Sequence, residues 1–227
     1  MGDREKKSAL FEQFARVGKA LGSGRRLELI DLLSQGERTV EALAIAAGLG
    51  LSTASAHLQI LKQAGLVVTR REGTRIHYAL AGDDVAQLFT LMRSVAQTRI
   101  PDVEQKRVAY LGLDSPRSGG ELEMTREALL AGVKAGTVIV LDVRPQQEYT
   151  AAHIPSALSI PLEELSDRLS ELPADREVVA YCRGAYCVLA YEAVEMLQHY
   201  GRRATRLNEG MLEWRLANLP TSSGAAA

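Results

Sequence analysis

Apolar residues recur at helical spacing through most of the first hundred positions. Leu10, Phe11, Phe14, Val17 and Leu21 share one side of a helix predicted over 8–20, which Gly22 and Gly24 end. A second amphipathic helix is predicted from Arg25 to Ser34, with Leu27, Ile30 and Leu33 on one side and Leu29 and Leu32 widening it. Next come two helices on either side of a tight turn. Thr39 is placed to cap the first, Gly48 interrupts, and Ser52 is placed to cap the second, which runs to about Ala64. After Gly65 the period falls from 3.6 toward two, predicting strands at 66–70 and 75–80 around Glu72-Gly73-Thr74, a hairpin signal. Helical spacing returns over 83–99, where Val85, Leu88, Phe89, Met92 and Val95 share a face, and Ile100-Pro101 ends it.

Beyond a Gly- and Ser-rich stretch, GLDSPRSGG at 112–120, the pattern changes in kind. Helix TREALLAGVKAG is followed by apolar strand TVIVLDV, a loop with HIPSALSIP, helix LEELSDRLSEL, strand EVVAYC, helix CVLAYEAVEMLQHYG, strand RATRLN and helix GMLEWRLANLP. Apolar strands alternating with helices predict an α/β unit with a central parallel sheet. The expected organisation is therefore two domains: a mainly α helix-turn-helix unit with a β-hairpin wing (α+β) over 1–105, a linker over 106–120, the α/β unit over 121–220, and a disordered tail over 221–227. No internal repeat is present.

A length of 227 residues suits two domains, each large enough to bury a core. Residues 1–100 carry 14 Lys and Arg against 10 Asp and Glu, while 101–227 carry 13 against 18, which assigns a polyanionic partner to the first half. No apolar run has the length of a signal peptide or of a membrane span, so a soluble, cytoplasmic protein without membrane contact is expected. Two cysteines are too few for a secreted disulfide framework, and the thiols are expected to rest reduced.

Helix, turn, helix and basic hairpin together form a winged helix suited to duplex DNA. The second helix can enter the major groove with its N-terminal polar residues while hairpin cations reach phosphate. The candidates are Ser52, Thr53, Ser55, His57 and Gln59 on the helix and Arg70, Arg71 and Arg75 on the wing. Residues 8–100 resemble the ArsR family of small winged-helix repressors. The resemblance is carried by Arg25-Arg26-Leu27-Glu28-Leu29-Ile30, Leu51-Ser52-Thr53-Ala54-Ser55-Ala56-His57-Leu58, Leu61-Lys62-Gln63-Ala64-Gly65-Leu66-Val67 and Arg71-Glu72-Gly73-Thr74-Arg75. It implies a homodimer formed through the helices near 8–20 and 83–99, bound at rest to double-stranded palindromic operator DNA. Many members sense metals through cysteine, histidine or carboxylate ligands. Here no cysteine precedes position 182 and no histidine lies between 78 and 152, so no metal and no cofactor are expected.

The candidate chemistry lies in VVAYCRGAYCVLA at 178–190, which holds both Cys182 and Cys187 where a strand passes into a helix. Unpaired amides and the positive end of the helix dipole favour an anion there, and Arg183 adds charge, so a lowered thiol pKa is expected at Cys182. Cys187 reads either as a helix residue packing inward or as a second reactive thiol. Residues 120–220 resemble a rhodanese domain: Asp142-Val143-Arg144-Pro145, Glu148-Tyr149 and His153-Ile154-Pro155-Ser156-Ala157 match its first signature. Tyr181-Cys182-Arg183-Gly184 matches its active-site loop, and Asn208-Glu209-Gly210-Met211-Leu212-Glu213-Trp214 with Leu219-Pro220 its last. The resemblance implies that Cys182 accepts a sulfane sulfur as a persulfide, cradled by backbone amides of the loop Arg183, Gly184, Ala185 and Tyr186. Asp142, Arg144 and His153 are expected to buttress that loop rather than react. Late in the loop, where sulfurtransferases commonly carry a basic residue, stands Tyr186-Cys187-Val188, leaving Arg183 as the substitute anion contact.

The leading expectation is a DNA-binding transcriptional regulator, a repressor, that senses a small sulfur donor through persulfidation of Cys182 or a sulfur bridge between Cys182 and Cys187, Cys187 serving as resolving thiol. The alternative is a rhodanese-type sulfurtransferase acting through Cys182 on thiosulfate or 3-mercaptopyruvate under the control of its DNA-binding half. An arsenic-responsive repressor ranks last, since two thiolates lack a third ligand.

Overall fold

A computed structural model describes residues 3–113 and 123–225, which divide between Arg93 and Ser94 into two compact units. The predicted linker residues 114–120 lie outside the described residues.

In the first unit α1 spans Arg4–Leu21, begun by Asp3, whose carboxylate accepts from the amides of Glu5 and Lys6. Helix α2 (Gly24–Ser34) is followed by a two-residue strand β1 (Arg38–Thr39), α3 (Val40–Ala46) and α4 (Leu51–Gln63). Thr39 caps α3 as expected, accepting from the Ala42 amide at 3.2 Å. Ser52 does not cap α4: Gly50 takes that place, and Ser52 stands one residue inside the helix on its exposed side. Gly48 turns the chain at φ +59°, a conformation costly for a residue with a Cβ. Strands β2 (Val67–Glu72) and β3 (Arg75–Leu80) form the wing, and β1 pairs with β3 to complete an antiparallel sheet in the order β1-β3-β2. Leu29, Ile30, Leu43, Ala54, Leu58 and Leu61 have essentially no solvent exposure, so the three central helices share one core.

Helix α5 (Asp83–Arg99) spans the division between the units. Its Leu91 and Val95, with Leu10, Phe11 and Phe14 of α1, remain exposed, an apolar surface on the two helices that the sequence assigns to pairing. Ile100-Pro101 ends α5 as expected. It stands before α6 (Asp102–Leu111), so residues 106–111 of the predicted linker are helical, and α6 packs within the second unit against α9.

The second unit then runs β4 (Glu123–Met124), α7 (Arg126–Ala135), β5 (Val138–Asp142), α8 (Gln146–Ala151), β6 (Leu158–Ser159), β7 (Glu177–Tyr181), α9 (Val188–His199), β8 (Ala204–Leu207) and α10 (Met211–Leu216). All strand pairs are parallel, in the order β4-β8-β7-β5-β6. Both faces of the sheet are covered. Along β7 and its continuation, Val178, Ala180 and Cys182 face the core under α9, whereas Val179 and Tyr181 face the core formed with Leu129, Met211 and Trp214. The two-residue period therefore sends consecutive functional residues to opposite sides of the sheet.

Three expectations need correction. The stretch 162–172 is not a helix but two 3-10 turns, Leu162–Glu164 and Leu169–Glu171, which seat Leu165 and Leu172 in the core; near-threefold leucine spacing suits both forms. The segment after His153 carries β6, which its short, Pro-flanked apolar stretch concealed. The tail is ordered through 225: Ser222 and His153 exchange backbone hydrogen bonds at 2.9 Å, and the Gly224 amide donates to the Thr150 carbonyl. Among the described residues no single helix is long and apolar enough to cross a membrane.

Candidate functional site

On the winged helix, Ser52, Thr53 and Gln59 are exposed along α4, and Ser55 and His57 are half-buried on its flank. Gln59 is partly committed, its amide donating to the Tyr78 hydroxyl at 3.0 Å. The wing is less freely cationic than its composition suggests. Arg70 donates to both Glu37 and Glu72, His77 lies 3.3 Å from Glu37, and the Arg71 guanidinium donates to the Gly73 carbonyl. Arg75 is exposed at the turn. Glu37, thirty-three positions before the wing arginine it pairs with, is a contributor the sequence reading missed.

In the second unit the C-terminal end of β7 delivers Cys182 to a six-residue loop that returns as α9, with Cys187 at the helix N-cap position. The loop is folded on itself by the Cys187 amide donating to the Gly184 carbonyl at 3.0 Å. From behind, the first turn of α10 holds it: the Met211 and Leu212 amides donate to the Cys182 and Arg183 carbonyls at 2.9 and 3.0 Å. With those carbonyls turned outward, amides of the loop and of α9 turn toward the sulfurs. Gly184 and Ala190 donate toward Cys182, Arg183 and Leu189 toward Cys187.

Two glycines make this approach feasible. A Cβ on Gly210 would lie 2.3 Å from the Gly184 nitrogen, and one on Gly184 would lie 3.1 Å from a Glu213 carboxylate oxygen. Glu213 meanwhile accepts from the Gly210 amide at 3.0 Å, fixing the start of α10.

The two thiols are unequal. Cys182 is 2% exposed and its Sγ lies 3.3 Å from the Cys187 carbonyl oxygen; Cys187 is partly exposed. Burial pushes the Cys182 thiol well up from its ordinary value, helped by its hydrogen bond to Cys187 and by the charge there. The hydrogen bond from Cys182 pulls Cys187 down, with the Arg183 and Leu189 amides and the Arg183 charge acting the same way. The lowered thiol expected at Cys182 is therefore found at Cys187.

Arg183 does not stand free as an anion contact. Its guanidinium is forked onto Glu148, with contacts of 2.6 and 3.0 Å, and Glu148 is 2% exposed. Asp142 and Arg144, both fully buried, form a pair at 2.6 Å, and Arg144 also donates to the Ala152 carbonyl. The Tyr181 hydroxyl donates to Asp142 at 2.6 Å and accepts from the Ile154 amide, so this network grips the residue directly before Cys182. Burial and the Asp142 charge keep Tyr181 protonated well above the usual phenol range. His153 is stacked on Tyr149 at 3.7 Å with its Nδ1 on the Tyr149 carbonyl. Ala185 and Tyr186 line the exposed side of the loop, and the Tyr186 hydroxyl donates to Gln97 of α5, within the same unit, at 2.8 Å. Glu148, Tyr181, Gly210 and Glu213 all lie inside the quoted signatures, but nothing in their spacing told their individual roles.

A winged helix and an α/β unit with a cysteine loop at the C-terminal end of its central strand define a transcriptional regulator that carries a rhodanese-like domain. The chain belongs to the ArsR-type HTH transcriptional regulators with a C-terminal rhodanese domain. The model of the bacterial regulatory protein arsR family matches residues 23–69, and that of the rhodanese-like domain matches 125–217. The chain is 54% identical over 224 residues to the HTH-type transcriptional regulator Rv0324 of Mycobacterium tuberculosis, covering 99% of this chain and 96% of that one. It is 37% identical over 83 residues to a sulfurtransferase of Allochromatium vinosum, covering 37% of this chain and 77% of that protein. Among solved structures, the homodimeric winged helix-turn-helix domain of Mb0332 from Mycobacterium bovis is 58% identical, with a TM-score of 0.41 over 44% of this chain and 93% of that one.

Proposed function

We propose that this regulator is a dimeric repressor whose DNA affinity changes when a reactive sulfur species modifies the Cys182–Cys187 pair. The observation that carries the reading is the pair itself: two reduced thiols on one strand-to-helix loop, the Cys182 sulfur 3.3 Å from the Cys187 carbonyl oxygen, beside backbone amides of the loop and of α9, in the same chain as a winged helix. The amides favour an anionic sulfur. Dimerisation through α1 and α5 is supported by their exposed apolar residues. Coupling is supported by Tyr186, which ties the loop to the end of α5, and by α6, which continues from α5 onto α9. A change of loop geometry can reach α5 through that hydrogen bond and through the packing of α6 on α9, and a coupling of roughly 1–3 kcal/mol is typical of such linkage.

A sulfurtransferase acting in turnover is favoured by one observation, the similarity to the Allochromatium enzyme. Against it, Tyr186, Cys187 and Val188 bring no cation to the late loop, and the Arg183 charge is answered by Glu148.

The test uses DNA selected from a random pool by the reduced full-length protein. Inorganic polysulfide releases that DNA from the wild type and not from a variant in which both cysteines are serine. Release from the double variant overturns the reading, as does steady thiocyanate formation from thiosulfate and cyanide by a protein whose DNA affinity polysulfide leaves unchanged.

A further inference from the structure

The recognition helix α4 presents almost no side chain that reads guanine or adenine by paired hydrogen bonds. Residues 51–61, LSTASAHLQIL, hold no arginine, lysine, asparagine or carboxylate, the groups that grip purine edges or accept from cytosine. Lys62, the first cation after them, is turned to the wing, where its ammonium donates to the Thr69 hydroxyl at 2.9 Å. Gln59 is the one amide of the segment, and its Nε2 donates at 3.0 Å to the hydroxyl of Tyr78, which is 2% exposed. An amide held in this way does not offer its donor and acceptor side by side to adenine. His57 is half-buried on the flank of α4 with its Nδ1 shielded from solvent.

What the first two turns expose instead is small and rich in carbon. Leu51 is 52% exposed at the helix start, and Ser52, Thr53 and Ala56 are exposed after it, whereas Ala54 and Leu58 turn into the core. At 3.6 residues per turn, Ser52, Thr53 and Ala56 share the side opposite Leu58. In a winged helix this N-terminal part of the second helix is the part that meets base edges. Thymine alone among the four bases puts a methyl group on the major-groove edge, and alanine and the threonine methyl are side chains that suit it. The exposed Arg71 and Arg75 of the wing supply cations for phosphate, which position the protein without reading sequence. That charge makes duplex DNA the occupant of the apolar patch.

We propose that α4 selects its operator through thymine methyl groups, with Leu51, Thr53 and Ala56 packed on the major-groove edge of A·T pairs and the Ser52 hydroxyl as the accompanying polar contact. The inference rests on the DNA-binding part of the reading above and is independent of the sulfur chemistry. Each methyl buried against these side chains contributes a factor of about four to affinity. Guanine contributes nothing through its N7 at the positions that α4 covers.

The test uses the reduced full-length protein and the duplex it selects from a random pool. Deoxyuridine in place of thymidine removes the methyl and keeps the base pair and its O4 acceptor, whereas 7-deazaguanine removes the N7 acceptor and leaves every methyl. Uracil at one contacted position should weaken binding about fourfold, while 7-deazaguanine throughout the site changes affinity by less than about twofold. Leu51→Ala and Thr53→Ser remove only carbon from exposed positions, and each should bring the thymine-to-uracil affinity ratio at one position toward one. A general loss of helix stability would lower both affinities and leave that ratio unmoved. A uracil effect that persists undiminished in both variants comes from duplex shape and overturns the proposal. So does a duplex that loses more affinity to 7-deazaguanine than to uracil. A protein that retains no duplex from the pool overturns the DNA-binding reading as well, and methyl-dependent binding that polysulfide leaves unchanged overturns only the sensing reading.

Discussion

The two functional surfaces of this regulator are built in opposite ways. On the winged helix, Ser52, Thr53, Arg71 and Arg75 stand in solvent on separate elements, and the wing's Arg70 and His77 share a surface cluster with Glu37 and Glu72. In the rhodanese-like unit the corresponding residues form one buried system, in which Asp142, Arg144 and Tyr181 hold the strand end, and Gly210 and Glu213 hold the loop against α10. The contrast teaches that a DNA-reading surface is made of replaceable parts acting through long-range charge. A reactive loop depends on groups whose removal leaves a neighbour unpaired in a low-dielectric interior.

The contrast is tested hardest at Arg144. Arg144→Met leaves the buried Asp142 carboxylate without its counter-charge and is expected to cost about 3–5 kcal/mol, because the desolvation of the remaining ion is no longer offset. Trp214 is the single tryptophan and lies in the second unit, so its fluorescence during denaturant unfolding reports the loss. An unchanged midpoint would remove the buried network from the comparison. Gly210→Ala comes next: its Cβ meets the backbone of Gly184, a neighbour that cannot rotate away, and a loss of roughly 1–3 kcal/mol is expected by the same measurement. Thiol reactivity of the loop in that variant should change along with stability.

On the other side, Arg75→Ala should weaken binding to all DNA sequences alike. The slope of log affinity against log salt should shrink by about one while the Trp214 transition stays where it was. Movement of that transition would show the units to be more interdependent than their separate cores suggest. The smallest effect is expected for Glu37→Gln, which frees Arg70 from one of its two carboxylates. Affinity for non-specific DNA at low salt should rise by a few-fold, as one more cation becomes available to phosphate. A fall would mean that Glu37 positions Arg70 instead of competing for it.

How much was legible beforehand follows the same division. Helix α5 agrees with its predicted bounds, 83–99, because Val85, Leu88 and Phe89 repeat at the period of a helix and Asp83 and Arg99 suit its ends. The cap of α4 was misplaced because Gly50 and Ser52 both satisfy the local rule, and only the completed turn chooses between them. Helix α6 was missed because Ile100-Pro101 reads as a stop, although proline equally opens a helix whose first amides need no partner. At the site, the signatures located Cys182, Arg183, Asp142 and Arg144 by type and order. They did not reveal that Arg183 is taken by Glu148, thirty-five positions away, or that Glu37 answers Arg70.

By itself the sequence determined the two units, their order, the recognition helix, the wing and the paired cysteines, since each follows from local periodicity or from residues adjacent in the chain. Tertiary structure alone decided which cysteine is sealed and which is accessible. Cys182 lies in the core beneath α9 because it continues the inward alternation of Val178 and Ala180, whereas Cys187 ends the loop at the mouth of that helix. Thiol reactivity depends on solvent access and on the amides and charges that surround the sulfur, and these are brought together by α10, α8 and β7 from distant parts of the chain.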